Sequence, residues 1–417
     1  MINLIKKINY RNIKWILLIT ISVGFLNNLH AQNSSDIQNI QILKDSQSFD
    51  KKLEIVSKAK KSIWMSVMVF DCSESSKFLF DKMIEKQEKE NVDVRIIAEG
   101  LYMKTLSSPC YKYLKNNNIK VTQVFDHLKK GGNIKRMMHQ KFFIVDEEEV
   151  ILGGQNFLKY QNEANEENQF VRDNDVYIKS RRISHEAADE FVWQWNFFSD
   201  YDKINNFEFV NDNTLNNCKI YIQNPRRNKD EIDQYLSDNL ISSTQSLKMY
   251  TPGMIYEKNN IFNMLKEKVI NGYDFRLILP GQSKNNNEAT MFFKFHKEDQ
   301  WPTNQASAVL NFLGQTITHA LSKKSIKGGL ENVILNQQGK GIIYGYPRYS
   351  HSKIYIFDNK TAFIGSLNLD DQSLDNNYEI GFGCDDPDYI NQLTQMFDED
   401  VLKATQVHPV KLKDKIK

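Results

Sequence analysis

His139 and Lys141 stand two residues apart, and so do His351 and Lys353. An imidazole can attack phosphorus or pass a proton near neutral pH, and a nearby ammonium can hold an anion. Beyond each histidine the same residue types recur at the same distances: Asp146 and Asp358 seven residues on, Gly153 and Gly365 fourteen, Asn156 and Asn368 seventeen. A lone His-x-Lys is ordinary. Two copies with matching Asp, Gly and Asn offsets mark a duplicated unit with a chemical task. Placed face to face, the two sets fit a tetrahedral phosphodiester. Lys141, Lys353, Asn156 and Asn368 hold the non-bridging oxygens, and the imidazoles take the in-line attacking and leaving positions. Two lysines neutralise phosphate charge that a metal would otherwise handle. His-x-Lys is no ligand spacing and a lysine repels a cation, so neither metal nor other cofactor is expected.

The elements that must position these groups repeat as well. Residues 141–146 and 353–358 are short apolar runs suited to central strands, where residues i and i+2 share a face, so each His and its Lys point the same way. A turn at 146–149 or 358–361 leads into a returning strand. That strand ends at Gly153-Gly154 or Gly365-Ser366, where missing side chains permit close backbone approach, and brings Asn156 or Asn368 alongside. Asp146 and Asp358 are expected to hold the turn and the contact between domains. Upstream, strand-like 62–70, a helical stretch around Met83 and a strand at 92–97 recur as 246–256, the stretch around Met264, and 273–278. Strand, helix, strand reads as a parallel βαβ unit. The fold expected is α/β: two tandem sandwich repeats, 38–200 and 215–405, forming a pseudo-dimer within a monomer with the active site at their interface. Asp274 to His351 is about thirty residues longer than Asp93 to His139, which implies an insertion within 284–340. Its apolar and aromatic residues suit an extra helical layer or a lid over the site.

These paired segments resemble the HKD motifs of the phospholipase D superfamily, and the resemblance covers nearly the whole chain beyond the N-terminal segment. The flanks, Arg172-Asp173 before Val176-Tyr-Ile and Leu369 to Ile380 after Asn368, look most like the bacterial cardiolipin synthase and phospholipase D branch. The resemblance implies a covalent phosphohistidine, ping-pong kinetics, and water or an alcohol as acceptor. It implies His139 as nucleophile and His351 as acid, with an acidic residue orienting each ring. Glu379 matches that position in the second repeat; in the first, Asp173 fits one branch's pattern and Asp175 another's. Gln372 stands where many relatives have Arg, which puts a phosphate contact there in doubt. The two N-terminal membrane helices usual in housekeeping cardiolipin synthases have no counterpart here.

The formal net charge is +2; without the four basic residues of positions 1–31, fifty basic face 52 acidic side chains. That balance lacks the electrostatic footprint of a dedicated nucleic-acid binder. Lys6, Lys7, Arg11 and Lys14 precede a twelve-residue uncharged run, Trp15 to Leu26, and Ala31 suits a cleavage site. Residues 1–31 therefore read as a signal peptide, with an uncleaved anchor as the alternative, and either puts the body outside the cytoplasm. The four cysteines are then either incidental thiols or disulfide partners. The leading function is hydrolysis or transfer of a phosphatidyl group, with phospholipid and a membrane surface as partners. Lys129, Lys130, Lys135 and Arg136 either steer lipid head groups or form a solvated loop. The alternatives are a secreted nuclease of the same superfamily and a non-catalytic lipid-surface binding protein.

Overall fold

The computed structural model describes residues 39–105, 108–133, 135–168, 170–205, 207, 215–252, 260–280 and 341–406. Residues 1–31, read above as a signal peptide, the insertion expected at 284–340 and the lysine-rich end 411–417 lie outside the described residues. The first sheet holds β1 (Ile40–Lys44), β2 (Ser62–Val67), β3 (Asp93–Glu99), β4 (Lys120–Val124), β5 (Phe142–Val145), β6 (Glu149–Gly153) and β7 (Asn174–Lys179), in the order β1-β7-β6-β5-β2-β3-β4. The second holds β8 (Cys218–Asn224), β9 (Lys229–Asp230), β10 (Ser246–Tyr250), β11 (Asp274–Pro280), β12 (Ile342–Tyr346), β13 (Ile354–Phe357), β14 (Thr361–Gly365), β15 (Glu379–Cys384) and β16 (Thr405–Gln406). Its order is β16-β12-β11-β10-β13-β14-β15-β8-β9. Stripped of the edge pieces β9 and β16, this is the first sheet again.

In each sheet three strands run parallel, β2-β3-β4 and β10-β11-β12, and the hairpin carrying the motif adds antiparallel. The strand β2 is buried along its whole length, as a central strand covered on both faces must be. The helix Glu74–Glu90 stops at Asn91, which takes the left-handed conformation (φ 55°) that closes a helix.

One hydrophobic cluster contains residues of both sheets and of the long helices Arg181–Phe198 and Pro387–Lys403. In the first helix Ile183, Ala187, Phe191, Trp195 and Phe198 recur every three or four positions and form the buried stripe. Ser180 caps it through the Ile183 N–H; Asp386 caps the second helix through Tyr389, with Pro387 in its first turn. Phe191 stacks on Trp64 at 5.2 Å, and burying such a ring stabilises the fold by about 2–3 kcal/mol. Phe191→Ala would open this shared core. Trp195 is fully buried beside it, whereas Trp193 lies at the cluster's margin.

Each long helix also clasps the other repeat. Gln392 bonds both the Ile42 N–H (3.1 Å) and the Ile40 carbonyl (3.3 Å) of β1, and Glu186 accepts the Ile220 N–H of β8 at 2.8 Å. These contacts occupy strand edges that would otherwise expose unpaired backbone groups.

The aspartates of the two motifs sit in matching turns. Asp146 and Glu147 (φ 54° and 60°) and Asp358 and Asn359 (φ 53° and 51°) are left-handed, a conformation short polar side chains tolerate. Asp146 accepts the N–H groups of Lys60, Lys61 and Ser62, and Asp358 those of Thr244, Gln245 and Ser246. Each holds its turn to its own repeat, not to the other domain as expected. The cysteines form Cys72–Cys110 and Cys218–Cys384.

Candidate active site

The hairpins β5-β6 and β13-β14 deliver the motif residues to the seam between the repeats. Lys141 Nζ donates to the His139 carbonyl and Lys353 Nζ to that of His351, both at 2.5 Å, as side chains two apart on one strand face allow. On the returning strands the Gly153 N–H reaches the Lys141 carbonyl and the Gly365 N–H that of Lys353, each at 3.2 Å. The glycines are needed here. A Cβ at Gly154 would lie 2.3 Å from Asp173 Oδ1, and one at Gly365 would lie 2.6 Å from the Ile380 carbonyl. Asn156 and Asn368 follow, with buried carboxamide oxygens that find no partner among the described residues. A half-turn of a carboxamide exchanges its oxygen and nitrogen, so each site can present a donor to a phosphate oxygen.

The repeats exchange carboxylates. His139 Nδ1 meets Glu379 Oε2 at 2.9 Å, and His351 Nδ1 meets Asp173 Oδ2 at 2.7 Å. The backbone repeats the exchange: the His139 N–H donates to the Tyr378 carbonyl (3.0 Å) and the His351 N–H to the Arg172 carbonyl (2.8 Å). Glu379 is further held by the Ser366 hydroxyl and by Asn377 Nδ2 at 3.1 Å; Asp173 is held by Gln161 Nε2 at 2.7 Å and the Asn174 N–H at 2.9 Å. Gln161, Asn377 and this role of Ser366 escaped the motif reading, since none belongs to the repeated offsets.

Asp175 is not an orienting carboxylate. Its Oδ2 takes the Ser48 hydroxyl at 2.5 Å and the buried Lys52 ammonium at 3.0 Å, and its Oδ1 the Gln155 N–H at 3.1 Å. Gln372 donates to Asn377 Oδ1 at 2.9 Å and to the Lys135 carbonyl. It clips the two repeats together beside Glu379. Of the basic run, Arg136 lies 3.7 Å from Asp126, while Lys130 and Lys135 are exposed.

Burial dominates the electrostatics. It pushes Lys141 down to about 7 and Lys353 down to about 8. His351 is pushed down to about 4 by burial and then by Lys353, whose Nζ sits 2.9 Å from both ring nitrogens. His139 is lowered in the same direction by burial, with Glu379 opposing. Both ammonium groups act on both imidazoles, so the four groups share one field. Burial alone would raise Glu379 and Asp173, but the imidazoles and lysines beside them hold both below the usual carboxylate range.

A family model described as cardiolipin synthase, PLD-like domain matches residues 53–195 and 236–401. The cardiolipin synthase of Oceanobacillus iheyensis is 24% identical over 387 residues, covering 91% of this chain and 73% of that protein. The major cardiolipin synthase ClsA of Bacillus subtilis is 22% identical, covering 90% of this chain and 71% of its own length. Among solved structures, a phosphatidylserine synthase from Haemophilus influenzae superposes with a TM-score of 0.66 at 15% identity, covering 90% of this chain and 89% of that one. A polyphosphate kinase from Porphyromonas gingivalis superposes at 0.54 and 12% identity, covering 89% of this chain and 48% of that one. At such identities the structures speak for the fold alone. The twice-matched family model and the relatives that span most of the chain decide its kinship: it is a phospholipase D-like enzyme and belongs to the cardiolipin synthase, PLD-like domain family.

Proposed function

We propose that the chain cleaves the phosphodiester of a phospholipid and passes the phosphatidyl group, through a covalent phosphohistidine, to water or to a second alcohol. One observation carries this reading: two imidazoles, His139 buried and His351 largely so, each with Nδ1 against a carboxylate from the other repeat, under two shared ammonium groups. A ring that donates Nδ1–H to a carboxylate keeps its Nε2 lone pair for attack, and the carboxylate stabilises the charge that then develops. In the first half-reaction Nε2 of one ring bonds to phosphorus as the bond to the leaving oxygen breaks. The second ring, as imidazolium, gives that oxygen its proton. Water or an alcohol then attacks the phosphoimidazole, its proton passes to the second ring, and the first ring is released. Lys141 and Lys353 hold the non-bridging oxygens with the Asn156 and Asn368 amides. His139 is the attacking ring and His351 the acid, by resemblance to bacterial phospholipases D.

Lipid rather than nucleic acid as substrate is supported by the cardiolipin synthase relatives and by the near-neutral charge. The test is incubation of purified protein with phosphatidylglycerol, phosphatidylethanolamine and plasmid DNA in EDTA. The expected result is free head group or a transphosphatidylation product with intact DNA. Nicked plasmid beside untouched lipid would overturn the reading, and a strict need for one divalent ion would overturn the lysine-based mechanism. We also propose that the protein is exported, which the leader-like segment and the two disulfides support. N-terminal sequencing should find a start near Gln32; an intact Met1 on cytoplasmic protein would contradict it.

A further inference from the structure

Glu99, the last residue of β3, is buried, with 3% of its surface exposed. Its Oε2 accepts the Met138 N–H at 2.7 Å and its Oε1 the Leu101 N–H at 3.2 Å. Met138 immediately precedes His139, and the backbone there is bonded link by link. The Met137 carbonyl accepts the Tyr378 N–H (2.8 Å), the Met138 N–H goes to Glu99, and the His139 N–H goes to the Tyr378 carbonyl (3.0 Å). Two of those links come from the second repeat. Glu99 is the link to the first repeat's own sheet. At the corresponding place in the second repeat stands a proline: aligning Asp93 with Asp274 and Arg95 with Arg276 puts Pro280 opposite Glu99.

We propose that Glu99 is a positioning residue for His139: ionised, it holds Met138 and so sets the imidazole against Glu379; protonated, it loosens its hold on the backbone N–H groups of Met138, Leu101 and Gly100. A neutral carboxylic acid keeps one good acceptor, and its hydroxyl turns a donor toward an N–H that needs an acceptor. The release falls near neutral pH, because burial raises Glu99 to about 7 against the opposing backbone N–H bonds. The charged and titratable groups facing it are few. Asp126 adds to the rise while remaining paired with Arg226 at 2.9 Å and 3.7 Å from Arg136, and Tyr102 on the following helix is itself raised. The inference rests on the functional reading above, so its test needs one readout that does not.

Kinetics on a soluble p-nitrophenyl phosphodiester, from pH 5.5 to 8.5, would compare the wild type with Glu99→Gln and Glu99→Asp. The amide is isosteric, cannot titrate, and has one acceptor oxygen where the carboxylate has two. Glu99→Gln should lower kcat roughly tenfold at pH 8, leave KM unchanged and abolish the fall in kcat below neutral pH. Glu99→Asp should restore both in part. A wild-type kcat and pH profile in Glu99→Gln, or a loss confined to KM, would overturn the proposal. In parallel, the ¹⁵N-imidazole NMR signals should move for His139 and stay for His351 in Glu99→Gln. If the wild type turns over no diester, these signals decide alone. Movement confined to His139 would keep the positioning role and sink the functional reading, whereas unmoved His139 signals would sink the positioning role.

Discussion

Behind His139 stands a glutamate held by Ser366 and Asn377; behind His351 stands an aspartate held by Gln161 and the Asn174 backbone. Lys141 bonds the carbonyl of its histidine, whereas Lys353 also lies 2.9 Å from both ring nitrogens of His351. On the first repeat's side a carboxylate, Glu99, anchors the approach to the histidine, and on the other side a proline takes its place. Matched spacing has therefore produced unmatched chemistry. Burial and the Lys353 ammonium at 2.9 Å favour the neutral form of the His351 ring.

The largest effects should come from the rings themselves. His139→Ala and His351→Ala should each cut phospholipid turnover by roughly a thousandfold or more. On a p-nitrophenyl diester, whose leaving group departs without a proton, His351→Ala should keep measurable activity and accumulate phosphohistidine, while His139→Ala does neither. Radiolabel trapping decides, and the reverse pattern would swap the roles.

Next come the exchanged carboxylates. Glu379→Gln and Asp173→Asn should each lower kcat by roughly a hundredfold or more, by loosening the ring held across the seam. Asp175→Asn should leave kcat near the wild-type value yet cost about 3 kcal/mol in urea unfolding, because it strands the buried Lys52 ammonium. Equal kinetic losses at 173 and 175 would erase the distinction between them.

A smaller effect separates the rings by pH. The folded-state pKa of His351, about 4, lies below its ordinary 6.5. Its contribution to stability is thus fully present above pH 6.5 and lost as the pH falls toward 4, a span of about 3 kcal/mol. Urea melts of the wild type and His351→Ala at pH 7 and 4.5 measure it, and an unchanged pH slope in the variant would refute it. The smallest effect should be a symmetric one. Asp146→Ala and Asp358→Ala should each cost about 1–2 kcal/mol, since three N–H bonds are lost at an exposed turn, with kcat unaffected. Unequal costs in paired melts would show that the turns are less alike than their bonds.

The duplication, both α/β halves and the rings with their lysines were legible in the sequence because they rest on local spacing. Strand alternation puts His139 and Lys141 on one face wherever the strand lies. The exchange of Glu379 and Asp173 was not legible. Those residues meet their histidines 240 and 178 positions away, and only the seam between sheets brings them together. Asp173 and Asp175 could not be told apart for a related reason, because residues two apart near a strand start share a face. Lys52, on the helix Gln47–Lys58, claims one of them. Glu99 carries no motif at all, and its meaning depends on β3 ending beside Met138. The Cys218–Cys384 pair became readable only once β8 lay against β15 in register.

The crossed carboxylates also set a timetable. A ribosome releases His139 long before Glu379, and Asp173 long before His351, so a chain halted between the repeats carries both a histidine without its orienting acid and an acid without its histidine. Neither half can attack a phosphodiester with a correctly held ring. Each pairing of ring and orienting acid is thus complete only when both repeats have been made.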